Sequence, residues 1–308
     1  MIDSGPSGQD PRHRKKTFCQ ALGGFTWIGL NAAEAYSGMR LPARRRPASI
    51  APDRVGGGMF EGFRSLTVET SGTRIYLRVG GEGSPVLLLH GYPQTHAMWH
   101  RVAPVLARTH TVVCADLRGY GDSGKPPDDP EHRTYAKRAM AQDQVEAMQA
   151  LGHERFAVVG HDRGGRVAHR MCLDHPDRIT RAALLDIVPT RTLFAALTRE
   201  LALGYYHWLF LAQPAPLPER LIGADPLFYL HWTLSGWGAR GLDAYAPEAL
   251  AEYERCFCDP ATIRATCADY RAAASIDLAH DEAERARKIA CPLLVLWGLR
   301  GLMQRHFD

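Results

Sequence analysis

Five short apolar runs set the frame for this chain: Pro85–Leu89, Thr111–Ala115, Arg155–Gly160, Arg181–Ile187 and Pro292–Trp297. None alternates apolar with polar residues as a half-exposed strand does. Continuous runs of this length fit strands buried on both faces. Segments with helical patterning stand between the first four: Ala97–Ala107, Thr134–Leu151, stopped by Gly152, and Gly164–Asp174. This alternation predicts an α/β domain with a parallel sheet and right-handed crossovers. Ahead of it, Ser65–Thr70 and Thr73–Val79 flank Ser71-Gly72 and predict a hairpin. The rhythm breaks from Val188 to Arg287, a stretch rich in aromatics with Pro-rich turns. An insertion of that length between two sheet strands predicts a helical cap over 188–287, on a core of 59–187 and 288–308.

Residues 1–58 stand outside this pattern and are expected to form a disordered or signal-like extension. Residues 1–60 hold nine Lys or Arg against four Asp or Glu, whereas the remainder holds 28 against 29. Lys15-Lys16-Thr17-Phe18, the moderately apolar Phe18–Leu30 and Ala33-Glu34-Ala35 together look like an export signal. Gly56-Gly57-Gly58 before Met59 fits translation that starts at Met59 instead. A cytoplasmic protein is the expectation, and a periplasmic one the alternative if residues 1–35 act as an export signal. The neutral body argues against a nucleic-acid surface. No apolar run is long enough for a membrane span. The seven cysteines are scattered and odd in number, which is no disulfide framework. Cys256-Phe257-Cys258 has no second pair at zinc spacing, so no metal and no cofactor is expected.

The chemistry is concentrated in Gly160-His161-Asp162-Arg163-Gly164, which follows one strand and opens one helix. Small residues two positions either side of Asp162 allow a sharp turn that pushes its side chain into a pocket. A carboxylate in that position attacks carbon and forms an ester with its substrate. That suits a leaving group on a saturated carbon, a halide or an epoxide oxygen. The same five residues also fit an Asp that only caps the helix.

Two further motifs surround this turn. His90-Gly91-Tyr92-Pro93 ends one strand, and Asp116-Leu117-Arg118-Gly119-Tyr120-Gly121-Asp122-Ser123 follows the next. In this order the three motifs resemble the α/β-hydrolase superfamily. Gln94-Thr95-His96, Arg163 with Arg166, and Leu185-Asp186-Ile187-Val188-Pro189 narrow the resemblance to the fluoroacetate/haloacetate dehalogenases, over roughly residues 60 to 308.

The resemblance implies a mostly parallel sheet flanked by helices and covered by a helical cap. It implies that Asp162 is the nucleophile, and that Asp186, 24 residues later, is the acid that orients a catalytic histidine. Arg163 and Arg166 match the pair that binds the substrate carboxylate, as i and i+3 side chains on one helix face can. His207, Trp208 and Tyr270 match a halide cradle. The backbone N–H groups of Tyr92 and Arg163 match an oxyanion hole, with His90 packed beneath the loop. The implied reaction converts haloacetate into glycolate and halide through an aspartyl ester. The partner is then a small-molecule substrate, with no nucleic acid and no membrane, and a homodimer is left open. Arg163 stands where haloalkane dehalogenases and epoxide hydrolases usually have Trp, which favours an acidic substrate. An epoxide hydrolase and a non-catalytic carboxylate-binding protein remain the alternatives. The family's catalytic histidine lies in a Gly-His loop after the last strand, and nothing here matches it. His306 comes too early. The core is therefore expected to be C-terminally incomplete, without its final strand and helix, and turnover is expected to be impaired.

Overall fold

One sheet of eight strands organises the described residues, which are 50–53, 58–237 and 240–307 of this computed structural model. The strands are β1 (Ile50–Asp53), β2 (Arg64–Glu69), β3 (Arg74–Gly80), β4 (Ser84–Leu89), β5 (His110–Ala115), β6 (Phe156–His161), β7 (Ile179–Leu185) and β8 (Leu293–Leu296). Their spatial order is β1-β2-β3-β5-β4-β6-β7-β8. The ladders β1–β2, β2–β3 and β3–β5 are antiparallel, and the four ladders from β5 to β8 are parallel. The β2–β3 pair is the hairpin that Ser71-Gly72 predicts, with Leu66 opposite Leu77. Leu87, Leu88 and Leu89 of β4 and Val112 to Ala115 of β5 are wholly buried. Both faces of the central strands are thus covered, which is why their sequences are continuous apolar runs.

Helices α1 (Ala103–Leu106), α2 (Lys137–Ala150) and α3 (Arg163–Asp174) connect the core strands. Two expected helices are shorter than their patterning suggests. Ala97–Ala107 is a 3-10 turn over His96–Trp99 followed by the single turn of α1. Thr134–Leu151 divides at Ala136, whose extended ψ of 144° separates a 3-10 turn over Arg133–Tyr135 from α2. The expected core boundary at residue 59 is corrected as well. β1 pairs with β2 from Ile50 opposite Val68 to Asp53 opposite Ser65, so the sheet begins inside the segment taken as an extension. Ile-Ala-Pro-Asp is too short, and too interrupted by proline, to read as a strand. The features read as an export signal lie outside the described residues.

Between β7 and β8 the chain forms α4 (Thr190–Ala195), α5 (Arg199–Gly204), α6 (Tyr206–Leu211), α7 (Leu217–Ala224), α8 (Pro226–Gly236), α9 (Pro247–Phe257), α10 (Pro260–Ala274) and α11 (Ile276–Ala283). These helices occupy the aromatic-rich stretch between the two strands. Buried Trp208, Tyr253, Phe257 and Tyr270 join its helices to the same apolar cluster as the sheet. The short α12 (Leu302–His306) follows β8.

Candidate active site

β6 ends at His161 and α3 begins at Arg163, so Asp162 alone makes the turn. Its φ of 47° and ψ of −112° lie in a region that L-residues rarely occupy. Backbone contacts hold it there. The Asp162 N–H donates to Leu185 O at 3.3 Å, and the Gly164 N–H donates to His90 O at 2.9 Å. The Tyr92 N–H donates to Asp162 Oδ1 at 2.9 Å. The close approach of β6, α3 and the end of β4 demands glycine. A Cβ at Gly164 would stand 2.4 Å from His90 O, and one at Gly160 would stand 2.3 Å from Gly164 O. Backbone cannot swing aside as a side chain does. Gly164→Ala is therefore expected to destabilise the fold by about 1–3 kcal/mol and to lower Tm by roughly 2–4 °C per kcal/mol. Thermal unfolding checks this, and an unchanged Tm would show that α3 is not seated on β4 as described.

His90 is structural, as expected. Its Nε2 accepts from the Leu117 N–H at 3.0 Å, which leaves Nδ1 as the N–H facing Gly91 O at 2.9 Å. Burial lowers its pKa and keeps it neutral.

Asp186 sits at the C-terminal end of β7 with φ 57°, and its N–H donates to Leu296 O at 2.7 Å. Its Oδ1 is buried and, among the described residues, has no hydrogen-bond partner. Tyr205, which the sequence did not single out, lies within electrostatic range of both carboxylates. Burial raises its pKa first, and Asp186 and Asp162 raise it further. His306 lies on α12 with Nε2 3.4 Å from Glu200 Oε2 of α5.

His207 and Trp208 of α6 and Tyr270 of α10 come together, with His207 and Tyr270 within electrostatic range of Asp162. The Tyr270 ring centroid is 5.7 Å from that of His207 and 5.3 Å from that of Trp208. All three residues are at most 3% exposed. His207 Nδ1, Trp208 Nε1 and Tyr270 Oη are each buried without a hydrogen-bond partner. Three such polar atoms in one place are costly unless a ligand completes them. His207 is held neutral: burial, opposed by Asp162 and reinforced by Arg163 and Arg166, pushes its pKa down to about 3.

Arg163 and Arg166 both face this group. Their guanidinium carbons lie 5.0 and 4.3 Å from the Trp208 ring centroid, and that of Arg163 lies 4.1 Å from Tyr270. The expected pair is thus on one face, but its members are engaged differently. Arg163 donates from Nε to Asp269 Oδ2 at 2.9 Å and from Nη2 to Asp269 Oδ1 at 2.6 Å, so its fork is closed on an internal carboxylate. Only Nη1 is left without a partner. Of the three guanidinium nitrogens of Arg163, Nη1 is therefore the one left to offer a ligand. Asp269 also accepts from Tyr120 Oη at 2.7 Å and from Lys137 Nζ. Burial opposes its charge, but Arg163 and Lys137 outweigh burial and hold it ionised. Asp269 and Lys137 escaped the sequence reading. Their one available signal was the position of Asp269 next to Tyr270.

Four similarities bear on this arrangement. The alpha/beta hydrolase fold family matches residues 84–304. A fluoroacetate dehalogenase from Burkholderia sp is 52% identical over 250 residues, covering 81% of this chain and 82% of that protein. A soluble epoxide hydrolase from Corynebacterium sp. (strain C12) is 33% identical over 230 residues, covering 74% of this chain and 78% of its own length. The crystal structure of an alpha/beta hydrolase from Nostoc sp PCC 7120 superposes with a TM-score of 0.78 at 58% identity, covering 80% of this chain and 84% of the other.

Proposed function

The chain belongs to the alpha/beta hydrolase fold family, and from that premise we propose that it dehalogenates a short 2-halo carboxylic acid, converting haloacetate into glycolate and halide. The observation that carries this reading is the set of three buried donor groups without partners, His207, Trp208 and Tyr270, gathered beside Asp162 and two arginines. Such donors suit a departing anion, and the arginines suit a carboxylate. The 52% identity to a protein named fluoroacetate dehalogenase supports the same reading.

Asp162 Oδ1 is held by the Tyr92 N–H, which leaves Oδ2 to attack the carbon that bears the halogen. The new C–O bond forms as the carbon–halogen bond breaks, and the bonding pair leaves with the halide. Neutral His207, Trp208 and Tyr270 donate to that anion. Water then adds to the ester carbonyl of Asp162. The Tyr92 N–H faces the oxygen on which charge develops, and the Arg163 N–H is the second donor implied. Collapse expels glycolate and restores the carboxylate. This second step needs a base, and the unpartnered Oδ1 of Asp186 supports assigning that residue to orient one.

Chloroacetate, chloroacetamide and styrene oxide, offered separately, test the reading. Halide release from the acid, saturating at concentrations about tenfold or more below those for the amide, is the expected result. Diol from the oxide without halide from the acid would replace it with the epoxide hydrolase alternative. Saturable binding of the acid without either product would leave a carboxylate-binding protein.

A further inference from the structure

Five cations are buried among the described residues: Arg118, Lys137, Arg163, Arg166 and Arg170. Four of them hold a carboxylate. Arg118 Nε donates to Asp143 at 2.7 Å, and Arg170 Nη2 donates to Asp281 at 2.7 Å. Lys137 Nζ bonds Asp269 and stands 3.6 Å from Asp277 Oδ2, and Arg163 closes on Asp269. Arg166 is the exception. Its Nη1 donates to Val188 O at 2.7 Å and Thr190 Oγ1 at 3.2 Å, both neutral, its face lies on Trp208, and its Nε has no partner. Removing such a charge from water without a counter-charge is costly, so a fold that keeps one there is prepared for an anion. Asp162 supports Arg166 only through space. That support disappears once Asp162 becomes a neutral ester. From then on the charge of Arg166 is balanced by whatever carboxylate the substrate brings.

Resting on the haloacid reading above, we propose that the two arginines divide the work. Arg166 supplies the charge that holds the substrate carboxylate. Arg163, neutralised by Asp269, supplies one oriented donor, Nη1, and Asp269 and Lys137 are its positioning residues. With two of its three nitrogens tied, the Arg163 guanidinium cannot rotate and stays over the rings of Tyr270 and Trp208, with Nη1 as its free donor. The Tyr120 hydroxyl and the Lys137 ammonium fix Asp269 in turn.

The test measures the initial halide burst against concentration for chloroacetate and chloroacetamide, in the full chain and in variants. Arg166→Met is expected to raise the half-saturating concentration for chloroacetate by about tenfold or more and to leave that for chloroacetamide within about twofold. Asp269→Asn keeps the shape and removes the charge. It is expected to lower the maximal burst rate by about tenfold with half-saturation changed by less than about threefold, because the donor is misplaced while the charge of Arg166 remains. A purely structural Asp269 would instead reduce the folded fraction and leave both constants of the folded protein unchanged. Should Asp269→Asn fail to fold, Tyr120→Phe removes only one of its hydrogen bonds and is expected to lower the burst rate in the same sense. Loss of acid-over-amide preference in Arg163→Met but not in Arg166→Met would overturn the division, as would wild-type constants in folded Asp269→Asn. If the unaltered protein releases no halide from either compound, the haloacid reading fails instead. Calorimetric titration with acetate and acetamide then tests the division by itself: acetate binding lost in Arg166→Met upholds it, and acetate binding kept there overturns it.

Discussion

If the described residues alone act on haloacetate, about one halide per folded chain is expected in a burst on the proposed reading, followed by turnover slowed roughly 10²–10⁴-fold, the usual contribution of a general base. On that reading, the displacement step draws on Asp162, Arg166 and the unpartnered polar atoms of His207, Trp208 and Tyr270. For the hydrolytic step, none of Asp186, His306 and His207 supplies a ready base. Asp186 Oδ1 has no partner to orient, His306 faces Glu200, and His207, with a pKa near 3, is too weak a base at neutral pH. The product of the burst is a carboxymethyl ester on Asp162, visible in the intact mass and in the peptide that contains His161-Asp162-Arg163. Asp162→Ala is expected to abolish both burst and adduct. Sustained turnover would show that a base acts where none is described. An adduct on another residue would remove Asp162 from its role.

Acidification is expected to unfold the protein through His207. This imidazole is buried and neutral, with a pKa near 3 in the fold against about 6.5 when exposed. Below pH 6.5 the unfolded chain therefore binds a proton that the folded chain refuses, and stability falls as pH falls. At pH 4.5 the loss from this one group comes to roughly 3 kcal/mol, at about 1.4 kcal/mol per unit. His90, also lowered by burial, acts in the same direction, and His96, raised beside Asp116, acts in the opposite one. His207→Gln removes the titrating group and keeps an N–H donor. Urea midpoints taken at pH 7 and pH 4.5 should converge in this variant by most of that amount. A wild-type pH dependence in His207→Gln would mean that the ring is accessible to protons in the fold.

What could be read from the residues, and what could not, divides along sequence distance. Asp162 was legible because the glycines that permit its turn lie two positions away. The central strands were legible because burial on both faces leaves no polar alternation. Arg166 came from the family resemblance, and its i+3 spacing to Arg163 said only that the two share a helix face. Asp269 was not legible, because it sits 106 residues from the arginine it neutralises and an aspartate inside a helix has no local signature. The internal partner of Arg163 was hidden for the same reason: a guanidinium announces that it will bind a carboxylate, not which one. β1 was missed because four residues with a proline acquire strand conformation from β2, and their own propensity does not supply it.

The ion pair between Arg163 on the core helix α3 and Asp269 on the cap helix α10 limits how freely the two parts can be exchanged. An insertion that leaves β7 and returns at β8 looks like a cassette, replaceable to alter substrate choice while the nucleophile stays untouched. Here the counter-charge of a core arginine is on the cassette. A transplanted cap without an acid at that place would strand Arg163 beside Lys137. A transplanted core with a neutral residue in place of Arg163 would leave Asp269 with Lys137 as its one counter-charge among the described residues. Recombination of such domains is therefore constrained by pairwise inheritance, and chimeras that keep α10 with its own α3 should be the ones that survive selection.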